Sequence, residues 1–185
     1  MRLFLYISIS FYFFISLLFA EETRQVDKHE HGVSELNIAI QSNTMVLEFM
    51  IPGADIVGFE YEAKSEQDKA TVNAALTKFD DYNNIFIIPT NSKCLLVSSK
   101  ININQEDDHD EHQEEAHNEF YAKYTFECGD IKSLDLLEFP YFETFSNSGE
   151  LEVQFVSEIG STSFEVEADS PIINIEGKMP IKVPK

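Results

Sequence analysis

Residues 34–53 read Ser34-Glu35-Leu36-Asn37-Ile38-Ala39-Ile40-Gln41-Ser42-Asn43-Thr44-Met45-Val46-Leu47-Glu48-Phe49-Met50-Ile51-Pro52-Gly53. Leu36, Ile38 and Ile40 recur at every second position. Gln41-Ser42-Asn43 makes a turn, and Met45, Leu47, Phe49 and Ile51 resume the same period. A two-residue period on both sides of a polar turn is a β-hairpin with one buried face. Pro52-Gly53 ends it. This hairpin predicts a sheet with a one-sided core, and the rest of the chain is organised around it.

Downstream the period changes. Over residues 65–81, Val72, Ala75, Leu76 and Phe79 fall at i, i+3, i+4 and i+7, which is one face of a helix. Ser65 can cap its start, with Asp68 three residues later near the capping-box position. Strand-like runs return at 85–88 and 94–103. They return again at Phe120, Ala122, Tyr124, Phe126 and Cys128, and at 151–156, 164–166 and 172–175. Residues 131–138 read equally as a short helix or a strand. Pro180 and Pro184 mark a loose C-terminal tail. The fold class expected is α+β, mainly antiparallel β in a sandwich-like arrangement, with one clear helix and an acidic, histidine-bearing insert loop at 105–119.

The first twenty residues stand apart. Arg2 precedes an apolar run that ends in Leu18-Phe19-Ala20, directly before Glu21-Glu22. Those are the three regions of a secretory signal peptide, with cleavage expected after Ala20. The run is also roughly long enough to remain as a spanning anchor. No second apolar segment follows, so the mature form, residues 21–185, is expected to be one soluble, exported domain that does not span a membrane. Export implies an oxidising compartment. Cys94 and Cys128, both at ends of strand-like runs, are therefore candidates for a disulfide, with two buried free thiols as the alternative.

Composition excludes partners. The chain has 185 residues with 33 Asp plus Glu, 13 Lys plus Arg and a net charge of −20. That length is enough for one domain to bury about 70% of its unfolded surface without a metal or a bridge. A chain this acidic lacks the basic footprint that holds a phosphate backbone, so nucleic acid is not a partner. Anionic lipid repels it as well. Divalent cations and basic protein surfaces are what its field attracts. GxSxG, HExxH, phosphate-binding glycine loops and dinucleotide fingerprints are all missing.

The five histidines fall in two places. His29 and His31 stand in Lys28-His29-Glu30-His31-Gly32. His109, His112 and His117 stand in an acidic stretch, where residues 105–119 hold eight Asp or Glu and no Lys or Arg. At i and i+2 on an extended strand, His29 and His31 point to the same side, as two ligands of one ion must. His109 and His112, at i and i+3, would share a helix face, and His117 would fall off it. Asp108, Asp110 and Glu111 supply carboxylates beside them. Zinc takes imidazole nitrogen and carboxylate oxygen in a tetrahedral shell. Calcium fits less well, because His112 interrupts the acidic run and the glycine of an EF-hand turn is missing. Three imidazoles favour zinc, copper or nickel. The plain alternative is a solvated acidic loop and a solvated N-terminal pair.

In their order along the chain, several of these pieces resemble a known family. They are residues 24–32, Arg-Gln-Val-Asp-Lys-His-Glu-His-Gly, then Leu36-Asn37-Ile38-Ala39, then Ile51-Pro52 leading into Asp55-Ile56-Val57-Gly58-Phe59-Glu60. The acidic insert follows, with His117-Asn118-Glu119-Phe120 and Tyr124-Thr125-Phe126-Glu127-Cys128. Together they resemble the ZrgA-type zinc-uptake proteins of the periplasm over most of the mature chain. The resemblance implies an exported, non-catalytic zinc-binding protein that works with inner-membrane transporter components. It implies a core site of His29, His31 and His117, with His109 and His112 in an accessory insert. Where members often carry a histidine after the Gly-Phe-Glu stretch, this chain has Tyr61. Two readings without that resemblance stay open: an acidic exported β-domain that binds a basic protein partner, with metal incidental, and an unrecognised metal hydrolase.

Overall fold

A computed structural model describes residues 32–105 and 118–178. The predicted signal peptide, the C-terminal tail and the interior of the insert lie outside them. The hairpin is present as β1 (Val33–Gln41) and β2 (Thr44–Pro52), paired antiparallel from Glu35↔Met50 to Gln41↔Thr44. Its inward residues, Leu36, Ile38, Met45, Leu47, Phe49 and Ile51, are essentially sealed from solvent.

Four more strands extend the sheet: β3 (Cys94–Gln105), β4 (Asn118–Cys128), β6 (Glu150–Ser157) and β7 (Gly160–Glu167). Their order is β3-β4-β2-β1-β6-β7. All pairs are antiparallel except β1·β6, which runs parallel from Val33↔Glu150 to Ala39↔Val156. A parallel neighbour needs a long crossover, and here the chain between β1 and β6 supplies it. Inward alternation continues through Phe120, Ala122, Tyr124 and Phe126 on β4 and through Leu151, Val153 and Phe155 on β6.

The second layer covers one face of this sheet. It contains α1 (Gly53–Val57), α2 (Glu66–Asp80), α3 (Tyr141–Thr144) and a small antiparallel pair, β5 (Leu136–Glu138) with β8 (Ile172–Asn174). The architecture is therefore α+β and sandwich-like. The α2 boundaries follow the predicted cap: Ser65 Oγ accepts the Asp68 amide at 3.0 Å. Val72, Ala75 and Phe79 are buried on its inner face, and Leu76 is partly buried beside them.

Two local expectations resolve differently. Residues 85–88 do not form a ladder. A 3-10 turn at Tyr82–Asn84, capped by Asp81, enters this run and Pro89 follows it, leaving a single bridge, Ile87↔Glu138. Proline offers no N–H to continue a ladder. Residues 131–138 contain both candidate structures, a 3-10 turn at Ile131–Ser133 and then β5.

Aromatic rings fill the space between the layers. Phe86 contacts Phe49, Tyr124 and Phe126, with centroids 5.9, 5.3 and 5.9 Å away. Phe79 stacks on Phe145 at 4.9 Å. The Tyr124 hydroxyl donates to the Phe79 carbonyl at 2.6 Å, tying the end of α2 to the sheet. Burial pushes the Tyr124 phenol well above its usual range, so it remains a donor. At the far end of β3 and β4, Cys94 and Cys128 face each other in register and are bridged.

Two stability outcomes follow from these contacts. Tyr124→Phe strands the Phe79 carbonyl, and urea unfolding is expected to show a loss of about 1–2 kcal/mol. Reducing the Cys94–Cys128 bridge, which joins positions 34 residues apart, is expected to cost roughly 4 kcal/mol in the chain-entropy model. Unfolding curves with and without reductant check it.

Candidate metal centre

The site is built from one end of the sheet. β1 begins at Val33, just after Gly32, and β4 begins at Asn118. In sequence, Gly32 follows His31 and Asn118 follows His117. Since β2 lies between β1 and β4, with Pro52 opposite Glu119, the two strand starts flank the end of β2. Two inter-strand spacings separate them, about 10 Å. Positions 85 residues apart in the chain thus reach one edge of the domain side by side.

Gly32 is held on both sides of its backbone. Its N–H donates to Asp55 Oδ1 at 2.8 Å. Its carbonyl accepts from the amides of Gly149 at 2.9 Å and Glu150 at 2.8 Å. Its φ of +86° is a left-handed conformation that glycine adopts without strain. Asp55 itself sits on α1 at 2% exposure. Its second oxygen accepts from Ser34 Oγ at 3.2 Å, and Ser34 Oγ lies 2.8 Å from the Tyr141 hydroxyl and 3.4 Å from Ser148 Oγ. Tyr141 is fully buried, which raises its phenol pKa well above normal and keeps the proton in this network.

Asn118 is held by the loop after α1. Its amide donates to the Glu60 carbonyl at 2.7 Å, and its side-chain Nδ2 donates to the Tyr61 carbonyl. Asn118 is only 4% exposed. Gly58, at φ +81°, closes α1 with its amide on the Ala54 carbonyl and turns the chain toward Phe59. The Phe59 and Tyr61 rings stack at 4.6 Å. Tyr61 stands half-exposed.

The surroundings of both strand starts are acidic. A shallow hollow beside Gly32 is lined by Val33, Gly149, Glu150, Glu167 and Asp169. Another, beside Asn118, includes Glu62. Among the described residues neither lining includes a Lys or Arg. Across the open face of the sheet, Glu35, Glu152 and Glu165 occupy one register row on β1, β6 and β7. Carboxylates side by side on a sheet repel one another and attract cations.

The expected ligands His29, His31, His109, His112, His117, Asp108, Asp110 and Glu111 all lie outside the described residues. Among the described residues no group of three or more His, Cys, Asp or Glu is arranged to hold a metal ion. Cys94 and Cys128 are brought together as a disulfide at the opposite end of β4 and are not available as thiolate ligands. Asp55, Gly53 and Asn118 escaped the sequence reading. A signal for Asp55 exists: it is an acid enclosed by Ala54, Ile56 and Val57, where a solvated charge is out of place.

A family model described as ZrgA family zinc uptake protein matches residues 28–175. No curated protein matches the chain. The matched span takes in Lys28-His29-Glu30-His31-Gly32, the insert and the eight strands of the described residues.

Gly53 gives this region its sharpest steric constraint. A Cβ there would lie 2.7 Å from the Phe59 carbonyl oxygen and 2.8 Å from that of Asn118. Both are backbone atoms, so neither can swing aside. Gly53→Ala is expected to lower stability by about 1–3 kcal/mol, read as a lower melting temperature in a thermal unfolding scan.

Proposed function

The chain belongs to the ZrgA family of zinc uptake proteins, and from that premise we propose that it is an exported, non-catalytic periplasmic protein that binds zinc and supports its uptake. Cleavage after Ala20 releases it, and inner-membrane transporter components receive its ion. In this reading zinc is cargo. His29, His31 and His117 form the core ligand set, with a water or carboxylate completing a tetrahedral shell. His109 and His112, with Asp108, Asp110 and Glu111, form a weaker collecting arm.

One observation carries the reading. The strand register puts Gly32 and Asn118 on either side of the end of β2, so the two histidine-bearing stretches meet the folded domain at the same edge. Five histidines confined to those two stretches are more than solubility needs. The acidic surroundings raise the local cation concentration. Two unit charges 4 Å apart in water interact by about 1 kcal/mol, and this field is screened beyond about 8 Å at physiological salt. No helix among the described residues is long and apolar enough to cross a membrane.

A second reading is supported by the carboxylate row Glu35–Glu152–Glu165 and its neighbour pair Glu150–Glu167 on the open sheet face. Here the domain recognises a basic protein partner and metal is incidental. Zinc separates the two. A zinc-binding domain gains stability by mass action, about 2.7 kcal/mol at 100 times Kd, and a metal-indifferent one gains none.

The direct test is zinc titration against a competing chelator, run beside a variant lacking residues 107–115. Tight binding that survives the deletion is expected, placing the core site on His29, His31 and His117. Binding is also expected to weaken sharply between pH 7.5 and pH 5.5. Free imidazole titrates near roughly 6.5, and protons compete with zinc for its nitrogen. Equal affinity at both pH values would exclude imidazole ligation.

A further inference from the structure

Residues 53–61 do more than connect β2 to α2. They hold the peptide groups through which both histidine-bearing stretches join the domain. Asp55 takes the Gly32 N–H at 2.8 Å, and the Glu60 carbonyl takes the Asn118 N–H at 2.7 Å. A peptide group is planar, so a hydrogen bond to its N–H orients the plane by which the preceding residue is attached. Gly53 locks this segment against Asn118 with no room for a side chain.

Asp55 is a costly choice for a merely structural residue. Taking a carboxylate out of water carries a penalty of several kcal/mol unless hydrogen bonds replace the lost hydration. β1 is secured without it, since Glu150 and Gly149 already hold the Gly32 carbonyl and the β1·β2 and β1·β6 ladders follow. What Asp55 adds is the orientation of the Gly32 N–H. Ser34 Oγ fixes the carboxylate from behind, and Tyr141 and Ser148 contact that hydroxyl, not the carboxylate. The aspartate is thus a rigid post rather than a flexible surface group.

We propose that the 53–61 segment is the positioning bracket of the zinc site, with Asp55 as its principal residue, setting the separation and direction of the two histidine-bearing arms. The proposal rests on the zinc reading above. Asp55 acts through the backbone of Gly32 and is a positioning residue, not a ligand. The bracket explains how two arms distant in sequence can serve one site.

The test uses protein exported from the full-length chain, with zinc affinity measured by chelator competition and the metal-free melting temperature measured in parallel. Asp55→Ala is expected to weaken zinc binding roughly tenfold or more, the range for groups that orient metal ligands. Asp55→Asn, which keeps an acceptor for the Gly32 N–H, is expected to recover most of that loss. Tyr141→Phe disturbs the same buried network without touching Gly32. It should lower the melting temperature and leave zinc affinity within about twofold of the parent, since outer-shell losses of 10–100-fold arise only where ligand orientation changes. If Asp55→Ala does not fold, Asn118→Ala carries the test: it removes the side-chain bond to the Tyr61 carbonyl, leaves only the amide bond to Glu60 holding that arm, and should also weaken zinc binding.

Wild-type affinity in Asp55→Ala, or in Asn118→Ala where that variant decides, overturns the bracket. So does a Tyr141→Phe loss of affinity that tracks its loss of stability. Failure of the underlying reading looks different. In that case the parent protein does not bind zinc, or binding vanishes when residues 107–115 are deleted while His29→Ala and His31→Ala change nothing.

Discussion

β2 is hydrogen-bonded along both edges, to β1 on one side and β4 on the other, and every positional relation in the domain depends on that double pairing. It fixes which face of the hairpin is inward, because slipping either register by one residue would turn Met45, Leu47, Phe49 and Ile51 to solvent. It brings the starts of β1 and β4 to one edge. The rest of the fold is a response to the apolar face so created. The α2 helix, the β5·β8 pair and the rings of Phe79, Phe86, Tyr141 and Phe145 close over it.

The same pairing separates two kinds of chemistry. One end of β4 carries the Cys94–Cys128 bridge and the other end receives the histidine-bearing insert. The bridge ties the far end of the β3·β4 hairpin, so the insert springs from two paired strands at its base. An acidic insert of this composition could not be packed into a core, since its charges would have to be desolvated. It is carried instead between the paired strands β3 and β4 at a sheet end. The cost of concentrating negative charge is offset by the covalent tie and by the aromatic core.

In the proposed zinc reading the binding site must be neither closed nor buried, because cargo has to enter and leave. Mobile cargo sites built only from long arms would have poor geometry, and affinity would suffer from the entropy of bringing the arms together. The proposed role of residues 53–61, which hold the Gly32 and Asn118 amides, answers that problem. Burial of Asp55 and exclusion of any side chain at Gly53 are costs that a simple connector would not carry.

Much of this was legible from the order of residues. The hairpin, the α2 cap at Ser65, the inner helix face and the strands around the insert follow from local periodicity, which is a property of near neighbours. The two histidine clusters are equally local, and so is the acidity that makes a cation the natural guest. The ladder expected at 85–88 failed because capping by Asp81 and the missing N–H of Pro89 outweigh a short apolar run. Other features needed the folded chain. The parallel β1·β6 pair, the placing of Gly32 and Asn118 on either side of the end of β2, and the hold of Asp55 on Gly32 all relate residues far apart in sequence. No local period encodes them. They arise because one apolar sheet face can be covered in few ways, and the covering that succeeds decides which distant backbone groups become neighbours.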